Sequence, residues 1–484
     1  MIPIHHRRYP HGTESAGFRW GLCVALLVLN PLVATPTVAQ DSPPESASPP
    51  AASVSSAAAA ASAAGSPPDA PSPEASEPGE KDLQTLLQEL HVVESGVADA
   101  TVLEQYEAYR AFDDRYGETP GLGGILASRL AWKLSALGDY GGAHRAFDQG
   151  PFRLSPSDET LEAQRKSLGG LEVEDAVGAI VDASRGRRAV MINEAHHVPQ
   201  HRALTRRLLP ALREAGFTHF AAETLSPFQD GLAEKGYPTA ATGLYTDEPL
   251  YADLVRGAVA LGYEVVPYEA VGAEEYEDRE LSQAKKLKER VIDVSPEARV
   301  LVHLGYGHNQ ESAVAFRGKP AMAFYFQKIT GFDPLTVDQA LLTERSSPDL
   351  EYPLYDEVCG TLEEPGALAF RNADGELWSL PRTERDITVC SPRSARVEGR
   401  PTWLLLGGLR RFVPLDVSLC DGLEVCVVEA RRDGEGPDAI PVDRVRIRAG
   451  EAAKALALPA GSFTILVHGA DGRPVRSAKL VVRP

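Results

Sequence analysis

Cysteine, long apolar runs and positive charge are all scarce in this 484-residue chain. Five cysteines occur, and one, Cys23, sits in an N-terminal apolar stretch. The other four, Cys359, Cys390, Cys420 and Cys426, fall in the last third. An even number in an exported chain suits two disulfides, and the alternative pairings stay open at this level. Cys420 and Cys426 are close enough in sequence to staple a hairpin. The apolar run Trp20–Leu29 is too short for a stable membrane span. Basic residues number 49 against 68 acidic ones, a formal charge of −19. A surface this acidic argues against nucleic acid or an anionic membrane as partner. No glycine-rich phosphate loop follows the first predicted strand of the central region, so nucleotide binding has no support.

The N-terminus reads as an export signal. Arg7, Arg8 and Arg19 precede or open the apolar core, and Thr37-Val38-Ala39 offers small residues for cleavage before Gln40. Loss of residues 1–39 leaves 46 basic and 67 acidic residues, a balance of −21. The expected location is therefore exported, periplasmic or secreted. Residues 40–80 are almost entirely Ala, Pro, Ser, Glu and Gly, a composition that cannot bury a core and reads as a disordered tether.

From Lys81 the pattern turns helical, and a helical segment is expected over 81–165. Leu83, Leu86, Leu87 and Leu90 recur at helical spacing, as do Tyr106, Tyr109 and Phe112. The stretch from Gly138 through Tyr140 and Ala143 to Phe147 resembles the second half of a tetratricopeptide unit. One unit is too few for a repeat array, so a bundle capping the next domain is the preferred reading, with a protein partner as the alternative use. Residues 166–345 alternate short apolar strands with helices, which predicts a mostly parallel sheet with flanking helices. Its strands are read at Ala189–Ile192, Phe217–Ala222, Tyr263–Tyr268 and Val300–Leu304. After residue 345 short β-rich runs, including Trp403–Leu406, predict a small β-sandwich-like module over 346–484 carrying all four cysteines.

The chemistry gathers at the strand exits. Six of the nine histidines beyond residue 39 lie between positions 196 and 308. The first strand runs into Asn193-Glu194-Ala195-His196-His197, the second ends at Glu223, and the third at Tyr268-Glu269. The fourth carries His303 and runs into Gly305-Tyr306-Gly307-His308. In parallel sheets ligands bind beyond the carboxyl ends of the strands, so these groups share one rim. Carboxylates and imidazoles on one rim can bind a divalent metal, or supply a general base and acid. Glu194 could instead merely favour the following helix N-terminus. His196 and His197 cannot both face the rim from an extended loop, so one is functional and the other packs. His303, inside a strand, is either a ligand-binding residue or a hydrogen-bonded core residue.

Asn-Glu-Ala-His-His, Ala-Ala-Glu and Gly-Tyr-Gly-His, in this order at strand exits, resemble the erythromycin-esterase-like and haem-binding ChaN-like superfamily, with TraB and Tiki proteins as distant members. The resemblance covers about residues 186–340. Asn193 stands where that group has glycine. Glu194 matches the motif glutamate, His196 fits the ChaN-like spacing and His197 the esterase-like spacing. Glu223 and His308 match later elements, and Arg279-Glu280 is similar to an arginine–acid pair opening a helix in the esterases. The resemblance implies a hydrolase of small-molecule or peptide substrates, and together with the strand-exit rim it gives catalytic candidates Glu194, His196, His197, Glu223, Glu269 and His308. Arg279, from the resemblance, and His303, from its place in the fourth strand, are the cofactor-binding candidates. A divalent metal held by Glu194, His196, Glu223 and His308, or a non-catalytic haem site, are the alternatives. A protein-interaction role around a decayed site is a third.

Overall fold

A computed structural model describes residues 81–484 apart from 229–230, 273–274, 276–277, 316–317, 361, 363–365 and 453. The export signal and tether expected over residues 1–80 lie outside the described residues. Four helices open the described chain: α1 (Leu83–Gly96), α2 (Val102–Tyr116), α3 (Gly123–Ala136) and α4 (Tyr140–Gln149). Side-chain oxygens of Asp82, Thr101 and Asp139 cap α1, α2 and α4, satisfying amides that have no partner inside the helix. Gly138 turns the chain between α3 and α4 at φ +71°, and a Cβ there would strike the Arg444 carbonyl. Tyr106, Tyr109, Phe112, Leu126 and Phe147 form the core of this segment. A short helix α5 (Asp158–Lys166) leads into the sheet.

The central sheet has eight strands: β1 (Glu172–Asp175), β2 (Ala189–Glu194), β3 (His219–Ala222), β4 (Glu264–Pro267), β5 (Val300–Gly305), β6 (Leu335–Leu342), β7 (Leu368–Arg371) and β8 (Ile387–Cys390). Their order is β1-β7-β8-β6-β2-β5-β3-β4. The run from β8 to β4 is parallel, while β7 and β1 add antiparallel pairs at one edge. The helices of eight or more residues that follow α5 are α6 (Ala176–Ala183), α7 (Pro199–Glu214), α8 (Pro249–Ala260), α9 (Arg279–Leu287) and α10 (Met322–Thr330). Successive residues of β2 point to opposite faces. Val190 and Ile192 meet Leu204, Leu208 and Leu212 of α7, while Ala189 and Met191 meet Ala284, Leu287 and Phe326 of α9 and α10. Burial on both faces is why β2 and β5 read as continuous apolar runs rather than alternating ones.

The last part is antiparallel. Two short strands, β9 (Arg396–Val397) and β10 (Arg400–Pro401), pair with each other. Then β11 (Arg411–Pro414) pairs with β14 (Ala455–Leu458). Strands β12 (Val425–Arg432), β13 (Asp443–Arg448), β15 (Gly461–His468) and β16 (Pro474–Val482) form a four-stranded sheet ordered β13-β12-β15-β16. Val428 and Phe463 of that sheet share a core with Val413, Leu456 and Leu458 of the smaller ladder.

Three expectations are corrected here. The β module does not begin at residue 346, because β7 and β8 hydrogen-bond into the central sheet. The disulfides join Cys359 to Cys390 and Cys420 to Cys426, so the first lies in the α/β layer and only the second in the β module. A four-residue strand carries no local mark of which sheet it joins. Trp403–Leu406 is not a strand but part of a tight helical turn, with Leu406 at φ 51° and Gly407 at φ 67°. Consecutive left-handed residues cannot lie in a pleated strand. Disulfide formation agrees with an exported chain, since such bonds persist in oxidising compartments. Among the described residues no helix is long and apolar enough to cross a membrane.

The three parts interlock through Asp247, in the loop before α8. Its carboxylate accepts from Trp132 Nε1 at 3.0 Å and Lys133 Nζ at 2.6 Å, both on α3. Its carbonyl accepts from Arg444 of β13 at 2.9 Å, and Arg444 also bonds the Ala136 carbonyl at the end of α3. Lys133 is buried, so its ammonium depends on this carboxylate. Asp247→Ala leaves that charge unpaired and is expected to cost about 3–5 kcal/mol. Urea unfolding of the variant beside the unmodified protein measures the loss.

Candidate functional site

The carboxyl ends of β2, β3 and β5 meet at one point. Glu194 closes β2 and is buried, which is tolerable only with partners. Arg202, eight residues on in α7 and itself fully buried, grips it with both forks, Nε to Oε2 at 2.7 Å and Nη2 to Oε1 at 2.8 Å. His303 Nε2 lies 2.8 Å from Oε2, and His196 Nδ1 lies 2.9 Å from Oε1. Burial pushes the Glu194 carboxyl up, but Arg202 and His303 outweigh it and hold it well below the usual range. Arg202 also donates to Glu248 at 2.9 Å, and Glu248 caps α8 through the amides of Leu250 and Tyr251.

The second half is built on Arg279, at the start of α9. Its guanidinium donates to both oxygens of Glu269 at 2.8 and 2.7 Å and to Glu223 Oε1 at 2.7 Å. Gln283 adds a bond to Glu269 at 3.0 Å. The other Glu223 oxygen accepts from the Gly305 amide. Burial raises the Glu223 carboxyl, His308 and Arg279 lower it, and the result is about 2. His308 Nδ1 lies 2.6 Å from Glu280, and its Nε2 lies 3.6 Å from Glu223 and 3.1 Å from Arg279 Nη1. Burial opposes protonation of His308, but Glu280 and Glu223 overcome it and raise its pKa above 6.5, against the pull of Arg279.

The halves join at Gly305. A Cβ there would overlap both the His196 ring near Nε2 and the Glu223 carboxylate. Thus the second ring nitrogen of His196 faces Glu223 across a gap that only glycine allows. The ring is stacked on Tyr245, centroids 4.4 Å apart, and meets Tyr306 edge-on at 5.0 Å. His196, His308 and Arg279 keep 16–21% of their side chains exposed, while Glu194 and His303 are closed off. The accessible rim is therefore imidazole and guanidinium over a floor of ionised carboxylates. Backbone strain concentrates here too, since Thr224 (φ 63°) follows Glu223 and Tyr306 (φ 45°) follows Gly305.

His197 faces away. Its ring stacks on Phe147 of α4 at 3.8 Å and meets His144 edge-on at 5.7 Å. Burial, then His144 and Arg345, hold its pKa well below 6.5. It ties the site loop to the helical segment, and His196 is the imidazole that enters the site. His303 is a buried orienting residue between Glu194 and Thr205, at 2.8 and 3.0 Å. Glu269 contributes as an anchor for Arg279. Asn193, where the resembling group has glycine, bonds the Tyr306 carbonyl at 2.6 Å and accepts from the Gln339 amide at 2.8 Å. That side chain fixes the turn between Gly305 and His308. Sequence reasoning missed Arg202, Glu248 and Tyr245. The one signal pointing to Arg202 is its place on the inward stripe of α7 with Thr205 and Leu209 at helical spacing.

The metal and haem readings meet a poor donor set. Both oxygens of Glu194, Glu223 and Glu269 are already held by arginine, imidazole, amide or backbone donors. A divalent cation would sit against Arg202 and Arg279 and would need lone pairs they occupy. Among the described residues no three His, Cys, Asp or Glu side chains converge as metal ligands. For haem, both nitrogens of His308 are engaged, and the His196 ring is covered by Tyr245 and Tyr306. These residues form no apolar slot for a macrocycle.

No protein family and no curated protein matches the chain in sequence. Among solved structures, the type III effector HopBA1 is similar at a TM-score of 0.29 and 14% identity, over 46% of this chain and 94% of that one. RRSP, a MARTX toxin effector domain from Vibrio vulnificus CMCP6, gives 0.27 and 13%, over 51% and 55%. A structure described as bacterial protein toxins gives 0.26 and 16%, over 51% and 48%. Likeness at this level carries no statement about activity.

His308 binds its proton more tightly folded than unfolded. Its contribution to stability is therefore complete below about pH 6.5 and is lost as pH rises through the higher folded value. His308→Gln should lose more stability at about pH 5.5 than at about pH 8.5. Urea unfolding at both pH values tests this, and equal losses contradict it.

Proposed function

We propose that the chain is an exported hydrolase, periplasmic or secreted, of the erythromycin-esterase-like type, acting without a bound metal. The observation that carries the reading is the Glu194–His196 pair. One nitrogen of the imidazole rests on a buried, ionised carboxylate, and the other lies beside Gly305 and the Glu223 carboxylate, on a ring that stays 16% exposed. This is the arrangement of a general base whose tautomer and orientation are set by a carboxylate. The base takes a proton from a water, whose oxygen adds to a substrate carbonyl carbon. The oxyanion that forms is met by the positive charges on the rim, Arg279 and protonated His308. The imidazolium then returns the proton to the leaving oxygen or nitrogen, giving a carboxylic acid and an alcohol or amine. Glu223, held ionised, keeps Arg279 and the imidazolium in place.

Small uncharged esters and amides are the substrate class this reading favours. Arg279 is paired with two carboxylates, so the rim holds little surplus charge to select a strongly ionic substrate, and its cations act locally on the developing oxyanion. Turnover of p-nitrophenyl esters by the purified protein is the direct test. His196→Ala and Glu194→Gln should each lower the rate by about a hundredfold or more, and EDTA should not change it. His197→Phe, which keeps the stack on Phe147, should retain activity. Loss of activity on chelation, or full activity in His196→Ala, defeats the proposal.

A further inference from the structure

The hydroxyl of Tyr245 is buried and has no hydrogen-bond partner. Tyr245 is 2% exposed, so no bulk water serves it. A buried hydroxyl without a partner costs about 1–3 kcal/mol, and each such group needs an explanation, a catalytic role being one. The carboxylates nearby bond to other groups and not to this hydroxyl. Glu194 is taken by Arg202, His196 and His303, and Glu223 by Arg279 and the Gly305 amide. Tyr251, the neighbouring tyrosine, instead donates to the Glu223 carbonyl at 2.6 Å. The Tyr245 ring is also fixed. It is stacked on His196 on one side and met edge-on by Trp132 at 5.3 Å. Two residues on, Asp247 pins the loop to Trp132 and Lys133. The phenol therefore cannot swing out to find water.

We propose that Tyr245 is a further catalytic residue of this site, donating its hydroxyl hydrogen bond to the substrate oxygen that becomes an oxyanion. This deepens the hydrolase reading and rests on it. The proton stays on the phenol throughout, so no proton bookkeeping changes in the reaction. Burial, and after it the charge of Glu223, raise the phenol well above its usual pKa, which suits a donor that never ionises. Its stack on His196 sets the donor and the base on one rigid unit. The donor is thus placed before substrate arrives, which is the condition for strong oxyanion stabilisation.

Tyr245→Phe tests the proposal because it keeps the ring contacts and removes only the oxygen. The probe is p-nitrophenyl methylphosphonate, whose anionic tetrahedral group imitates the oxyanion. Calorimetry should show binding to the unmodified protein and at least about tenfold weaker binding to Tyr245→Phe, the loss of one hydrogen bond to a charged group. The free variant should melt at the same temperature or higher, since an unsatisfied group has been removed. No binding to the unmodified protein, equal affinity in the variant, or a lower melting temperature would each overturn the assignment. A lower melting temperature would mean that the hydroxyl is already paired in the fold. Ester turnover is scored separately. Tyr245-dependent phosphonate binding without turnover sinks the hydrolase reading and leaves the donor role intact. Turnover with equal phosphonate affinity does the reverse.

Discussion

The pairing of Glu194 with Arg202 is the constraint around which the site is organised. Both groups lie out of water, where either charge alone would be too costly to keep. Together they are held by two parallel bonds, and each spare position is used. Glu194 orients two imidazoles, while Arg202 also binds Glu248 and the His196 carbonyl. A buried pair of this kind contributes little to net stability compared with an apolar substitute. Its value is geometric. It sets which nitrogen of His196 faces Glu194 and which faces the rim.

The pair also explains why the flanking parts are needed. Glu248 begins α8, and its loop carries both Tyr245 and Asp247. Helix α3 holds that loop through Trp132 and Lys133, and β13 holds it through Arg444. On the other side, His197 plugs the site loop into Phe147 and His144 of α4. The helical segment thus spends its inner face on the two loops that shape the site. A tetratricopeptide-like hairpin in this position is a brace, and its contacts with Asp247 and His197 leave the site loops little freedom.

Much of this was legible in the residues. Continuous apolar runs with ionisable exits gave the parallel strands and placed Glu194, Glu223, Glu269 and His308 on one rim, because strand direction converts sequence position into location. Gly138, Tyr140, Ala143 and Phe147 were readable as a helix turn because the turn at Gly138 and the start of α4 are set by neighbouring residues. What stayed hidden was non-local. Arg202 lay in an amphipathic helix where a basic residue is ordinarily solvated. Strands β7 and β8 were too short to declare their sheet. The choice between His196 and His197 depended on Phe147, some fifty residues earlier in the chain. Trp403–Leu406 looked like a strand by composition, yet left-handed residues at Leu406 and Gly407 form a turn there.

Gly305 is where the two halves become one site, and a side chain there would have no room. Its amide holds Glu223, its missing side chain admits His196, and the residue after it is strained. Asn193 bonds the carbonyl of that strained residue, and Arg385 bonds it as well at 3.2 Å. Strain of this kind persists only where the surroundings over-determine it. The turn is therefore set by β2, β6 and the segment before β8 together, through Asn193, Gln339 and Arg385. A glycine at position 193 would leave the Tyr306 carbonyl to Arg385 alone. The asparagine is better understood as a replacement brace for this chain's own turn than as decay of a motif, because every hydrogen-bonding group it brings is used.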